Sequence, residues 1–184
     1  MGRRKNFSRE SVLEKAIPVF WTRGYADTSL QALELATGVN KSGLYAEFQD
    51  KDDLFLASLK HYLDARRERG LLTAEPLGWS NVERFLKNGY TCRDGQRGCF
   101  SVNSMRELAV LPQAARELVD DSMADLKAQL IRNIDAAGGR KPAAAADLVL
   151  IFFLGICMDQ NLEGSKAATT RKIDHFMQMM QASE

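Results

Sequence analysis

The sequence predicts an all-α protein of about nine helices, with an N-terminal three-helix unit built on a helix-turn-helix and a larger helical body behind it. Apolar residues recur at helical spacing along most of the chain, and capping residues and glycines punctuate them. No run alternates convincingly with the period of two that marks a strand. With 184 residues, 45% hydrophobic and 27% charged, the chain is long enough to bury a core and too apolar to be disordered.

Ser8 is a good N-cap for the first helix, which carries Val12, Leu13, Ala16, Ile17 and Phe20 on one face. Phe7 and Val12 have the spacing of a hydrophobic staple. The helix should end near Gly24, and Pro18 inside it predicts a bend that turns Trp21 toward the helices that follow. Two short apolar segments come next, Leu30/Leu33/Leu35 and Val39/Leu44/Phe48. Between them, Thr37-Gly38 supplies the positive φ that ends one helix and turns into the next. Ser29 (or Thr28) and Asn40 can cap this pair, which is too short to be stable without flanking helices and so serves as a presented surface. Asp50 caps a long helix from Lys51 to about Arg69, whose terminal Arg66-Arg67-Glu68-Arg69 run suits the negative end of the helix dipole. This places a head at residues 1–50 and a body at 51–184, with 51–69 as the linking lever.

In the body, Leu71 to Gly78 is a connection, and Ser80 caps a helix from Asn81 to about Thr91. Arg93 to Gly98 is a polar loop, and Cys99 to Leu111 a short helix that stops before Pro112. A long helix, Gln113 to Ala137, carries Leu118, Met123 (or Ser122), Leu126, Leu130 and Ile134 and stops at Gly138-Gly139. Pro142 starts the next, Ala143 to about Glu163, apolar nearly all round between Leu148 and Met158, so it must be covered on most sides. Gly164 breaks it, and Thr169 or Thr170 opens a last helix with Ile173, Phe176, Met177 and Met180.

Net charge is only +1, yet its distribution is uneven. Met1 to Lys51 holds eight Lys/Arg against six acids, and the rest holds seventeen against eighteen. The excess lies at the extreme N-terminus and around the second motif helix. Three cysteines with no Cys-x-x-Cys argue against a disulfide framework or a structural zinc. Met158, Met177, Met179 and Met180 near Cys157 and His175 read as packing, so no metal or cofactor is assigned. Neither His61 nor His175 is paired by a motif with Ser or Cys, so the chain is expected not to be an enzyme. No stretch approaches the ~20 uninterrupted apolar residues of a membrane span. The basic N-terminus lacks the apolar run of a secretory signal, and a cytoplasmic location is expected.

Gly24-Tyr25, Thr28-Ser29, Gly38-Val39, Lys41-Ser42-Gly43-Leu44-Tyr45, Phe48 and Lys51-Asp52-Asp53-Leu54 together resemble the DNA-binding domain of the TetR family of bacterial regulators, over roughly Phe7 to Tyr62. The resemblance implies a homodimer bound to an inverted-repeat operator in double-stranded DNA, a repressor released when a small-molecule or thiol-reactive effector acts on the body. The alternative is an effector-independent architectural DNA-binding protein. Arg3 and Arg4, with Lys5, would form an arm entering the minor groove. Lys41, Ser42 and Gly43 start the second motif helix, where side chains and free N–H groups meet phosphates and base edges. By family likeness Tyr45 and Lys51 hold phosphates, Thr28 and Ser29 bind phosphate through hydroxyls and N–H groups, and Gln31 reads a base, as Gln can pair with adenine. Ala46 and Glu47 depart from the family pattern.

Gly98-Cys99-Phe100 resembles a segment in one branch of the family, some of whose members detect electrophiles or oxidants through cysteine. Cys99, Phe100 and Asn103 are therefore the expected effector-site residues, with Arg93 and Arg97 activating the thiol. The competing reading of Cys99 is a small buried hydrophobe. Phe152, Ile156, Phe176 and Met180 are expected at a dimer interface formed by the last two helices.

Overall fold

The computed structural model describes residues 7–68, 70–93, 95–162 and 165–182, with the side chains of residues 67, 68, 92 and 93 also left aside. Arg3, Arg4, Lys5, Arg69, Glu163, Gly164 and the Arg93 side chain thus lie outside the described residues. Among those described there are nine α-helices and one short hairpin.

Helix α1 (Arg9–Arg23) starts in a capping box, Ser8 Oγ accepting from the Ser11 N–H at 3.1 Å and Ser11 Oγ from the Ser8 N–H at 3.2 Å. It runs uninterrupted through Pro18. Trp21 does face the following elements: its indole N–H donates to the Arg97 carbonyl at 2.9 Å, and its ring stacks on Phe100 and meets Tyr62 edge-on. Helix α2 (Leu30–Thr37) ends at Gly38, whose φ of 73° lies in the left-handed region, and α3 (Lys41–Tyr45) follows at once. Leu33 is buried but Leu35 is 86% exposed, which corrects its assignment to the apolar stripe. Residues two apart point to nearly opposite sides of a helix.

Helix α4 (Lys51–Glu68) is capped as expected, Asp50 Oδ1 accepting the Asp53 N–H at 2.9 Å. Helix α5 (Trp79–Asn88) begins at Gly78, earlier than the Ser80 cap predicted. Buried Asn81 anchors it, donating to the Ala74 carbonyl at 2.6 Å and to Asn133 Oδ1 at 2.9 Å. The predicted polar loop is instead an antiparallel hairpin, β1 (Thr91–Arg93) with β2 (Gln96–Gly98). Three-residue strands are too short for alternation to register in the sequence. Gly98 is required there, because a Cβ would lie 2.5 Å from the Cys157 carbonyl oxygen.

Helix α6 (Phe100–Ser104) leads into a 3₁₀ turn (Met105–Glu107), then α7 (Gln113–Ala136), α8 (Pro142–Asp159) with a 3₁₀ extension (Gln160–Leu162), and α9 (Lys166–Ala182). Ser165 opens α9, its Oγ accepting the Ala168 N–H at 3.1 Å, whereas Thr169 is buried inside it.

Two apolar clusters result. One gathers Val12, Phe20, Leu33, Leu44, Phe48 and Leu59, and is closed by Phe100, Leu111, Ala115 and Val119 from the body. The other joins α5, α7, α8 and α9 through Phe85, Leu130, Ile134, Phe153 and Ile173. Tyr62 of α4 packs against both.

The 142–162 stretch is apolar and long enough to cross a membrane by length and composition alone, and 28% of its most apolar window is buried. Its inner side, including Val149, Phe153 and Cys157, belongs to the second cluster. Leu148 and Ile151 stay 54% and 65% exposed, so the chain itself covers one side rather than most. Ile156 is only 3% exposed and faces the chain's own core, which corrects its placement at an interface. Phe152 is half-buried and stacks on Phe176 at 3.9 Å, with Met180 half-buried in the same helix as Phe176.

Candidate nucleic-acid interface

Helix α3 displays an outer side because its inner side is anchored. Val39 and Leu44 are buried, and Asn40 Oδ1 accepts the Gly43 N–H at 2.9 Å. Next to it, the Arg9 guanidinium lies 4.2 Å over the Phe48 ring and donates to the Glu47 carbonyl. Lys41, Ser42, Tyr45 and Ala46 are left exposed on one helical face. Tyr45 is 40% exposed, and Lys41 Nζ is 5.7 Å from its ring centroid, so cation and phenol are displayed side by side. Ser29 and Gln31 are exposed at the start of α2, Ser29 Oγ accepting the Ala32 N–H at 3.2 Å.

Three other residues take roles that the sequence did not indicate. Gly43 is half-buried, and a Cβ there would come within 2.6 Å of Val39 Cγ1, so it serves the close packing of α3. Thr28 is 1% exposed and its hydroxyl donates to the Gly24 carbonyl at 2.5 Å, which removes that hydroxyl from any phosphate. At the start of α3 the Lys41 N–H is already accepted by the Glu34 carboxylate, as is that of Gly43 by Asn40. The free donors expected there are largely spent, and ligand contacts fall to side chains. Lys51 is half-buried, donating to the carbonyls of Tyr25 at 3.0 Å and Thr28 at 3.3 Å, with Nζ 4.4 Å from the Tyr25 ring. It locks the α1–α2 loop and so sets the position of Ser29.

The same loop is held from the body. Glu107 accepts the N–H groups of Tyr25 at 2.6 Å and Ala26 at 3.0 Å, and Gly24, with φ 82°, has no room for a Cβ beside that carboxylate. The Tyr25 hydroxyl donates to Asp52. Burial first, and then the bond to Asp52, pushes its phenol up to about 12. Glu107 lies 82 positions from Tyr25, and no local pattern marks the pair.

Cys99 is fully buried at the N-cap of α6. Arg66 Nη1 donates to its Sγ at 2.7 Å and the Tyr62 hydroxyl at 3.5 Å, so the neighbouring cation comes from α4. Burial works against the Arg66 charge, but Cys99, Tyr62 and Cys157 more than offset this and hold the guanidinium protonated. Burial, then the proximity of Cys99, pushes the Cys157 thiol up. Phe100 packs with Trp21, Phe55 and Tyr62. Asn103 donates to the Arg97 carbonyl at 3.0 Å and lines a polar cleft of about 250 Å³ with Arg23, Asp27 and Glu107. A separate cavity of about 240 Å³ between α4, α5 and α7 is lined by Leu63, Leu72, Phe85, Ser122, Leu126 and Arg66 among others. Cys99, Phe100 and Asn103 do not line it. Arg66 touches both cavity and thiol. On α1 and α4, Glu10, Glu14 and His61 bring three ligand atoms within 4.8 Å, an arrangement common among exposed acids without any ion.

Residues 12–58 match the profile of the bacterial regulatory proteins of the tetR family. The head of this chain is a tetR-family domain. Among TetR relatives, the HTH-type transcriptional repressor ComR of Escherichia coli K12 is 39% identical over 114 residues, covering 59% of this chain and 54% of that protein. The uncharacterized HTH-type regulator YezE of Bacillus subtilis is 33% identical over 124 residues, 63% of each. This chain therefore spans between half and two thirds of these two relatives. The TetR fold extends to the body. A cysteine mutant of the TetR regulator CifR, solved with 26-bp operator DNA, superposes with a TM-score of 0.79 at 25% identity, over 96% of this chain and 98% of that one.

Proposed function

We propose that this chain is a homodimeric TetR-family transcriptional repressor that binds an inverted-repeat operator through two heads and leaves it when an effector acts on the body. The observation that carries the reading is the outer face of α3, where Lys41, Ser42 and Tyr45 stand exposed on a helix whose other side is buried. A short, supported helix with a cation, a hydroxyl and a phenol facing out is suited to a major groove. ComR is named a transcriptional repressor and CifR was solved on operator DNA, which supports the same role here. Gln31 would read a base, Ser29 would meet a phosphate, and Lys51 would hold the loop that presents Ser29.

The uncovered side of α8, with Leu148 and Ile151, and Met179 at 50% exposure on α9, supports pairing with a second copy. The effector would enter the α4–α5–α7 cavity or modify Cys99. Its leverage is differential affinity for two head spacings, since a ligand that binds both equally shifts nothing. Glu107 is the contact through which the body would move the α1–α2 loop.

A gel shift at rising salt, with duplexes from the gene's own upstream region and scrambled controls, tests this. Sequence-selective binding that weakens with salt is expected. Binding without sequence preference would favour the architectural alternative, and no binding would end the DNA reading.

A further inference from the structure

Only the location of the ligand rests on the effector reading above. Leu63, Leu72, Phe85 and Leu126 give the α4–α5–α7 cavity apolar walls. Half-buried Arg66 adds a guanidinium centred 5.6 Å from the Phe153 ring and 5.8 Å from the Tyr62 ring. Asp125 also lines the cavity, but it is exposed and already accepts from Gln129 Nε2 at 2.9 Å. Its charge is therefore screened by water, whereas that of Arg66 is screened less. A guanidinium presents five donors in one plane; the bond from Nη1 to Cys99 Sγ occupies one of them and a side-chain hydrogen bond with Tyr62 another. A planar carboxylate is the group best matched to such a fork.

We propose that the cavity binds an amphipathic monocarboxylate, its hydrocarbon part against the leucines and Phe85 and its carboxylate on Arg66, and that this binding competes with Cys99 for the same cation. Occupancy and thiol reactivity are then coupled. Alkylation proceeds through the thiolate, which displaces the halide as the S–C bond forms, and a guanidinium engaged by a carboxylate supports that thiolate less. A bound acid slows modification, and by linkage modification of Cys99 alters affinity for the acid.

The test compares octanoate, octanol and octylamine on the full chain, by calorimetric titration and by peptide-resolved alkylation of Cys99 with iodoacetamide. Octanoate should bind at least about tenfold tighter than either analogue, as a charge-assisted bond predicts, and should slow Cys99 alkylation several-fold. Arg66→Gln should erase the preference for octanoate while octanol binding persists. Equal or tighter binding of octanol or octylamine overturns the ligand class, and octanoate binding with unchanged alkylation overturns the coupling. The three probes are compared on the wild-type protein, so the ligand class and the coupling are both decided there even if the Arg66→Gln variant folds poorly. Both readouts are taken without DNA, so failure here is separable from failure of operator binding.

Discussion

Glu107 Oε2 accepts the Tyr25 N–H at 2.6 Å, joining the turn that follows the Cys99 segment to a loop of the head. Glu107→Ala would leave the Tyr25 and Ala26 N–H groups without their carboxylate acceptor. It should lower stability by about 1–3 kcal/mol in urea denaturation. Glu107→Gln keeps one acceptor oxygen and should lose less. Both should also blunt the effect of an effector on operator affinity, read by gel shift with and without the compound.

Tyr45 is exposed and separable from folding. Tyr45→Phe should weaken binding to all duplexes alike by roughly tenfold, the worth of one phosphate hydrogen bond of about 1–1.5 kcal/mol. Thermal unfolding should stay within about 0.5 kcal/mol of the parent. A variant that binds normally at physiological salt would remove Tyr45 from the interface.

Gln31→Ala should behave differently. If Gln31 reads a base, its loss should relax preference at one position in each half-site by about 1–3 kcal/mol. The salt dependence should be unchanged, because no phosphate contact is lost. Selection from a randomised operator library would show this directly.

Ile151→Asp tests the α8 face. Ile151 is 65% exposed in the single chain, so the change should leave helical circular dichroism intact. A carboxylate buried in an apolar interface should weaken the dimer by at least about a hundredfold, roughly 3 kcal/mol, in sedimentation equilibrium. An unaltered dimer would place the interface elsewhere.

Tyr25 gives a pH signature. Its phenol is raised from 10.0 to about 12, so between those values the folded state holds a proton that the unfolded chain releases. The associated stability is complete below the unfolded value and is lost as pH climbs through the folded one. Denaturation series should show a decline over this alkaline window, shallower in Tyr25→Phe. Tyrosinate absorbance in which every tyrosine ionises near pH 10 would contradict the assignment.

The sequence disclosed what is local and left open what is not. Ser8, Ser29 and Asn40 cap neighbours within three residues, and Gly38 turns the chain at its own position, so the head could be read directly. Leu35 shows the limit of counting apolar residues without regard to angle. Helix α8 is apolar on all sides, so its pattern could not tell which residues face the chain's own core; Ile156 does, and Ile151 does not. The ties from Arg66 to Cys99 and from Glu107 to Tyr25 span 33 and 82 positions. Each is a single polar contact, without a periodicity to betray it. In the sequence Arg66 is legible only as part of a charge run, which by itself describes a solvated helix end.

The position of Trp21 has a practical consequence. Its indole donates to a hairpin carbonyl while its ring rests on Phe100, so it sits on the seam along which head and body would shear. The chain has only two tryptophans, and Trp79 begins α5 in the other cluster. With Trp79 replaced by Phe, the fluorescence of the remaining indole would be a native gauge of that seam, following its opening in real time without any attached dye.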